Sequence, residues 1–116
     1  MNKIVLFSTI AAIAAINPEG FTFNVETLSV QEEGYAVACL ETQNAFGVDG
    51  LAKVVDYVAA NIDRVKCVGG WLDNESGLYY YDAVIIVNTE AEALQIARLN
   101  NQIAIFNLNT FQEIRL

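Results

Sequence analysis

Residues 35–40, Tyr-Ala-Val-Ala-Cys-Leu, carry no charged or strongly polar side chain at any position. In a strand, alternation puts Tyr35, Val37 and Cys39 on one face and Ala36, Ala38 and Leu40 on the other, so neither face is suited to water. A strand of this kind belongs in the middle of a sheet and needs cover on both sides. Residues 102–108 behave similarly, with Ile103 and Ile105 opposing Ala104 and Phe106. A sheet built from such strands requires two apolar layers.

The neighbouring segments supply one of them. Leu51, Val54, Val55 and Val58 recur at helical spacing, with Asp49 as a candidate cap. Residues 90–100 form a second helix, with Asn88 or Thr89 at its N-cap, Glu90 and Glu92 in its first turn and Arg98 in its last. Between the helices, residues 65–72 and 78–87 read as a hairpin around Asp73-Asn74-Glu75-Ser76-Gly77. Residues 35–108 therefore follow the order β-α-β-β-α-β, predicting an α+β, ferredoxin-like split β-α-β domain with an antiparallel sheet and two helices on one face. The strands beginning at Tyr35 and Leu78 are expected at its centre. Phe21 to Asn24 predicts a short strand, residues 25–34 a loop, and the segment ending at Leu116 a short final strand. No internal repeat or linker is expected, and 116 residues suit one domain, residues 1–116.

The second apolar layer points to the N-terminus. Residues 4–16 are apolar apart from Ser8 and Thr9, and Asn17-Pro18-Glu19-Gly20 ends the run. The run is too short to span a bilayer. It is read as an N-terminal helix within residues 1–17, the natural lid for the uncovered sheet face; otherwise a partner covers that face. The alternative is a secretory signal in residues 1–15, with Lys3 before an apolar run and Ala12-Ile13-Ala14 near a cleavage point. The expected location is the cytoplasm, or the outside of the cell if that signal operates. Cys39 and Cys67 each lie in a strand-like run and are expected as reduced, buried thiols, since two cysteines make no disulfide scaffold.

Hydrophobic residues make up 54% of the chain and charged residues 17%, which excludes a disordered chain. Six Lys and Arg against fourteen Asp and Glu give a net charge of -8, which repels nucleic acid and favours a protein partner with a basic surface. The same charge keeps an apolar domain dispersed. Histidine is absent, removing Ser-His-Asp and Cys-His catalysis and the commonest metal ligand. Gly69-Gly70 lacks the spacing and Lys of a phosphate loop. No catalytic residue, metal site or cofactor is expected.

Two groups of residues carry the candidate site. Trp71 lies across the hairpin from Tyr79 and Tyr81, whose rings would form a partner-binding surface if they are not simply packed across the strands. Glu41, Gln43 and Asn44 follow a central strand, where amides and a carboxylate are placed to meet a small ligand, unless they only cap a helix or solvate the loop. Glu41 with Asp82 would make an acid/base pair if the strands bring them together.

The segments GYAVACLETQNAFGVDGL, GGWLDNESGLYYYDAV and NNQIAIFNL resemble small uncharacterised proteins encoded by bacteriophages and other mobile elements, the likeness running from Pro18 to Ile114. The N-terminal stretch is more apolar than is usual for such proteins. The resemblance brings no catalytic residue with it. It implies an accessory protein that acts inside the host cell by protein–protein interaction, for instance by blocking a nucleic-acid-handling defence protein. The alternatives are a small-ligand or nucleotide-binding domain, as a homodimer joined by exposed sheet faces, and a carboxylate-dependent hydrolase.

Overall fold

In Phe-Thr-Phe-Asn at 21–24, Phe21 and Phe23 point one way and Thr22 and Asn24 the other. That asymmetry decides where the helices go. The computed structural model describes residues 2–116. In chain order these form α1 (Lys3–Ala15), β1 (Phe21–Asn24), β2 (Ser29–Val30), β3 (Tyr35–Ala38), a 3-10 turn (Leu40–Thr42), β4 (Ala45–Phe46), α2 (Gly47–Ala60), β5 (Cys67–Leu72), β6 (Tyr79–Val87), α3 (Glu90–Leu99), β7 (Ala104–Asn107) and β8 (Gln112–Arg115). The strands make one sheet in the order β2-β1-β5-β6-β3-β7-β8, with β4 pairing with the free part of β6. Every pairing is antiparallel. The strands beginning near Tyr35 and Leu78 do lie centrally, and the domain is α+β.

Register assigns every side chain to a face. Phe23 is opposite Val68, Val68 opposite Ala83, Ile85 opposite Val37, and Ile105 opposite Ile114. These residues share the helix side. There Phe21, Phe23, Val68, Tyr81 and Ala83 meet Leu51, Val54, Val55 and Val58 of α2, while Val37 and Ile105 meet Ala93 and Ala97 of α3. Gly70 makes room for two aromatics, because a Cβ there would stand 2.5 Å from Phe21 Cε1 and 2.8 Å from Tyr79 Cε1.

The N-terminal helix joins the same layer and is not a lid for the opposite face. Leu6, Ile10 and Ala14, one per turn, pack with Phe21, Phe23 and the α2 valines. The cause is β1, whose phenylalanines stand on the helix side and bury more apolar area between α1 and α2 than Thr22 and Asn24 would on the other side. Only one stripe of α1 is buried, and Ile4 and Ile16 remain 80% and 78% exposed.

Other boundaries shift for local reasons. Residues 25–34 contain β2 rather than loop alone. Helix α2 begins at Gly47 with Phe46 at its N-cap and no side-chain cap, so Asp49 sits in the first turn and favours the helix dipole instead. Thr89 caps α3, its Oγ1 accepting from Glu92 N at 3.3 Å and donating to Glu92 Oε1 at 3.0 Å.

The sheet contains a repeated device absent from the sequence expectation. Asn24-Val25-Glu26-Thr27-Leu28, Asp73-Asn74-Glu75-Ser76-Gly77 and Asn107-Leu108-Asn109-Thr110-Phe111 make three equivalent hairpin turns. In each, Oδ1 of the first residue accepts the amide two residues on, at 2.9, 3.1 and 3.0 Å. Each turn closes on a left-handed residue, with φ of 55° at Leu28, 74° at Gly77 and 58° at Phe111. Glycine adopts that conformation freely, whereas leucine and phenylalanine do so at a steric cost.

Candidate functional site

Among the described residues, no second layer covers the sheet face opposite the helices. Its side chains lie in rows set by the register. Thr22, Gly69 and Asp82 form one row; Cys67, Val84 and Ala38 form the next; Ala36, Ile86 and Phe106 form a third. On the other side of Asp82 comes an aromatic row of Trp71, Tyr80 and Phe46. Ala36, Cys67, Val84 and Leu108 are buried against Ile86 and Phe106, so part of this face is dry without helical cover.

Small residues keep the middle of the face low. Ala36, Ala38, Gly69 and Ala104 form the floor of a groove of about 360 Å³, bounded by Glu19, Trp71, Phe106, Phe111 and Glu113. Phe111 stands at the tip of the β7–β8 hairpin, 58% exposed, its ring edge-on to Phe106 at 5.2 Å. Trp71 is 47% exposed and stacks on Tyr80 at 5.2 Å with an 18° interplanar angle, and Phe46 meets Tyr80 edge-on at 5.7 Å. The strip Phe46–Tyr80–Trp71 therefore continues the groove wall across β4, β6 and β5.

Asp82 stands at the floor, with Gly69 opposite it on β5 and no side chain there to cover it. Burial raises its pKa from 3.8 to about 6. The three ion pairs among the described residues, Lys3–Asp56, Lys66–Glu26 and Arg115–Glu113, all leave it out. Glu113 is held by Arg115 at 3.3 Å at the exposed rim. Among the described residues no Lys or Arg lines the groove. Its electrostatic character is that of a desolvated acid between aromatic walls.

Of the residues singled out from sequence, Trp71 and Asp82 come together here. Tyr79 and Tyr81 turn to the helix side. Tyr81 is buried there, and the Tyr79 hydroxyl donates to the Asn17 carbonyl at 2.7 Å, with its ring 5.1 Å from Tyr81 and 6.3 Å from Phe21. Burial, then Tyr81 and Glu19, push the Tyr79 hydroxyl up to about 12. Tyr80 is the tyrosine beside Trp71. Glu41, Gln43 and Asn44 are exposed on the 3-10 turn and the loop after it, and none lines the groove. Their buried neighbour Thr42 has a structural duty, its Oγ1 accepting from Ala83 N at 2.9 Å where β3 leaves the ladder.

Cys39 and Cys67 are free thiols on opposite faces of the sheet, and burial pushes them up to about 11 and about 12. Among the described residues no cluster of three or more His, Cys, Asp or Glu side chains is placed to hold a metal ion. No helix among them is long and apolar enough to cross a membrane. Glu19, Phe106, Phe111 and Glu113 were not signalled by any local pattern; only the strand order brings these distant segments together. Comparison with protein-family models, curated proteins and solved structures returned no match.

Proposed function

We propose that this chain is a non-catalytic binding protein that engages a basic surface of a partner protein through the helix-free face of its sheet. The observation that carries this reading is Asp82, a partly desolvated carboxylate in an apolar groove walled by exposed aromatics and free of basic side chains. Exposed aromatic clusters around a buried polar group are how protein interfaces concentrate their binding energy. The net charge of -8 speeds encounter with a basic partner and disfavours nucleic acid. It also disfavours a homodimer through this face, since Glu19, Asp82 and Glu113 of two copies would confront one another.

The resemblance to phage and mobile-element proteins supplies the proposed setting, an accessory protein acting inside a host cell on a defence protein that handles nucleic acid. We also assign residues 35–108 to the ferredoxin-like plan, supported by the strand order β5-β6-β3-β7 and by α2 and α3 on one face. A second reading, a small cationic ligand, is favoured by the groove's volume of about 360 Å³, near the lower end of ordinary ligand pockets. Hydrolysis by Glu41 and Asp82 gains no support, because Glu41 lies outside the groove.

The test is capture of a host protein by the wild-type chain and by a Trp71→Ala/Tyr80→Ala variant, at low and high salt. Capture should be salt-sensitive and lost in the variant. Capture that survives both changes overturns the reading, and a thermal shift with small amines but no captured protein favours the second one.

A further inference from the structure

Resting on the reading of the groove as a protein-binding surface, we propose that it seats one arginine side chain of an extended basic segment, with the guanidinium on Asp82 and against the Trp71 ring. The floor is low at Gly69, so a long side chain entering from solvent reaches the Asp82 carboxylate. A bulkier residue at 69 would close that approach. Nothing basic in the lining competes for the carboxylate, and Glu113 is already held by Arg115. Asp82 is thus the acid without an ion-pair partner at the floor.

Desolvation chooses between the two common cations. A lysine ammonium is compact and strongly hydrated, and stripping it of water in an apolar groove is costly. A guanidinium is more weakly hydrated, offers a flat face to an indole and can grip a carboxylate with two N–H groups. Trp71 provides that indole at the groove wall, held in place by its stack on Tyr80. Phe111 faces the stem of the incoming side chain from the β7–β8 hairpin.

Trp71 is the chain's only tryptophan, so its emission reports the groove alone. The probes are three capped nonapeptides of Gly and Ser carrying two residues at alternate positions: arginine, lysine or the neutral isostere citrulline. The arginine peptide should shift Trp71 emission saturably, the lysine peptide should bind several-fold more weakly, and citrulline about tenfold more weakly or worse. Asp82→Asn should weaken the arginine peptide by about tenfold while the fold, followed by near-ultraviolet circular dichroism, is kept. Glu33→Gln, at an exposed acid outside the groove, should leave binding unchanged.

Equal binding of the arginine and citrulline peptides, or an unaltered affinity in Asp82→Asn, overturns the proposed seat. Equal binding of arginine and lysine overturns the selection of arginine. If no peptide moves Trp71 but the Trp71→Ala/Tyr80→Ala variant still loses partner capture, the arginine seat fails and the protein-binding reading stands. If capture is also unaffected, both fail.

Discussion

The two faces of the sheet come from the same strands and do different work. On the helix side the central rows carry aliphatic and aromatic side chains under α1, α2 or α3. On the bare side the strands present alanine, glycine, threonine, the carboxylates of Asp82 and Glu113 and the small cluster around Cys67 and Val84, and the aromatic residues stand at the margins of the groove. The helix side holds the fold together. Among the described residues the bare side has no helix over its apolar residues, and of these only the cluster of Ala36, Cys67, Val84 and Leu108 is buried.

The largest expected effect tests the packed face. Phe23→Ala removes a side chain that is 2% exposed between α1 and β5. It should cost about 3–5 kcal/mol and lower the denaturant midpoint accordingly, with the groove losing its shape only as the whole domain unfolds. An equally large loss from Trp71→Ala would erase the contrast between the faces.

Next comes Asp82. Its pKa of about 6 in the folded chain lies above the 3.8 of the free side chain. The folded state therefore holds that proton more tightly, so its contribution to stability is fully present below about pH 4 and lost as pH rises through 6. At pH 7 the buried charge costs on the order of 2–3 kcal/mol. Asp82→Asn should raise the melting temperature at pH 7, give little gain at pH 4, and weaken partner binding. A variant that is more stable yet binds worse would identify the carboxylate as functional, whereas lost stability at pH 7 would make it a structural residue.

Thr42 lies at the seam. Thr42→Val keeps the shape but orphans the Ala83 amide, at a cost of about 1–3 kcal/mol measurable by chemical denaturation, with faster amide exchange at Ala83. The smallest effect concerns the hairpin tips. Leu28→Gly relieves a left-handed leucine and should be neutral or stabilising by about 0.5–1 kcal/mol without touching binding. Phe111→Gly relieves the same strain but removes a groove wall, so binding should fall. Identical behaviour of the two tips in a peptide titration would mean that Phe111 is only a turn residue.

Much of this architecture is legible from local pattern. The spacing of Leu51, Val54, Val55 and Val58 marks α2, the Thr89–Glu92 pair marks α3, and the two-faced apolar character of residues 35–40 marks the centre of the sheet. The site is less legible because it depends on parity and topology. Trp71 sits beside Tyr80 rather than Tyr79 or Tyr81 because the four-residue loop after Asp73 sets the register, and a shift of one residue exchanges the faces. Glu19, Phe106 and Glu113 become neighbours only through the strand order. The placement of α1 was present in Phe-Thr-Phe-Asn, whose single apolar face outweighs the demand of the central strands for a second cover. The three matching turns were also present, in the shared Asx start and the Thr or Ser three residues later, but leucine and phenylalanine in the place of glycine conceal the likeness.

The division of the two cysteines between the faces makes the domain a pair of clocks. Cys39 lies within the helix-side core and Cys67 within the small cluster of the bare face, each buried and held as a thiol far above its ordinary pKa. A thiol reagent can reach either sulfur only when its own layer opens. Labelling rates read residue by residue will therefore time the loosening of the two faces separately, and an occupant of the groove should slow Cys67 while leaving Cys39 to the pace of global unfolding.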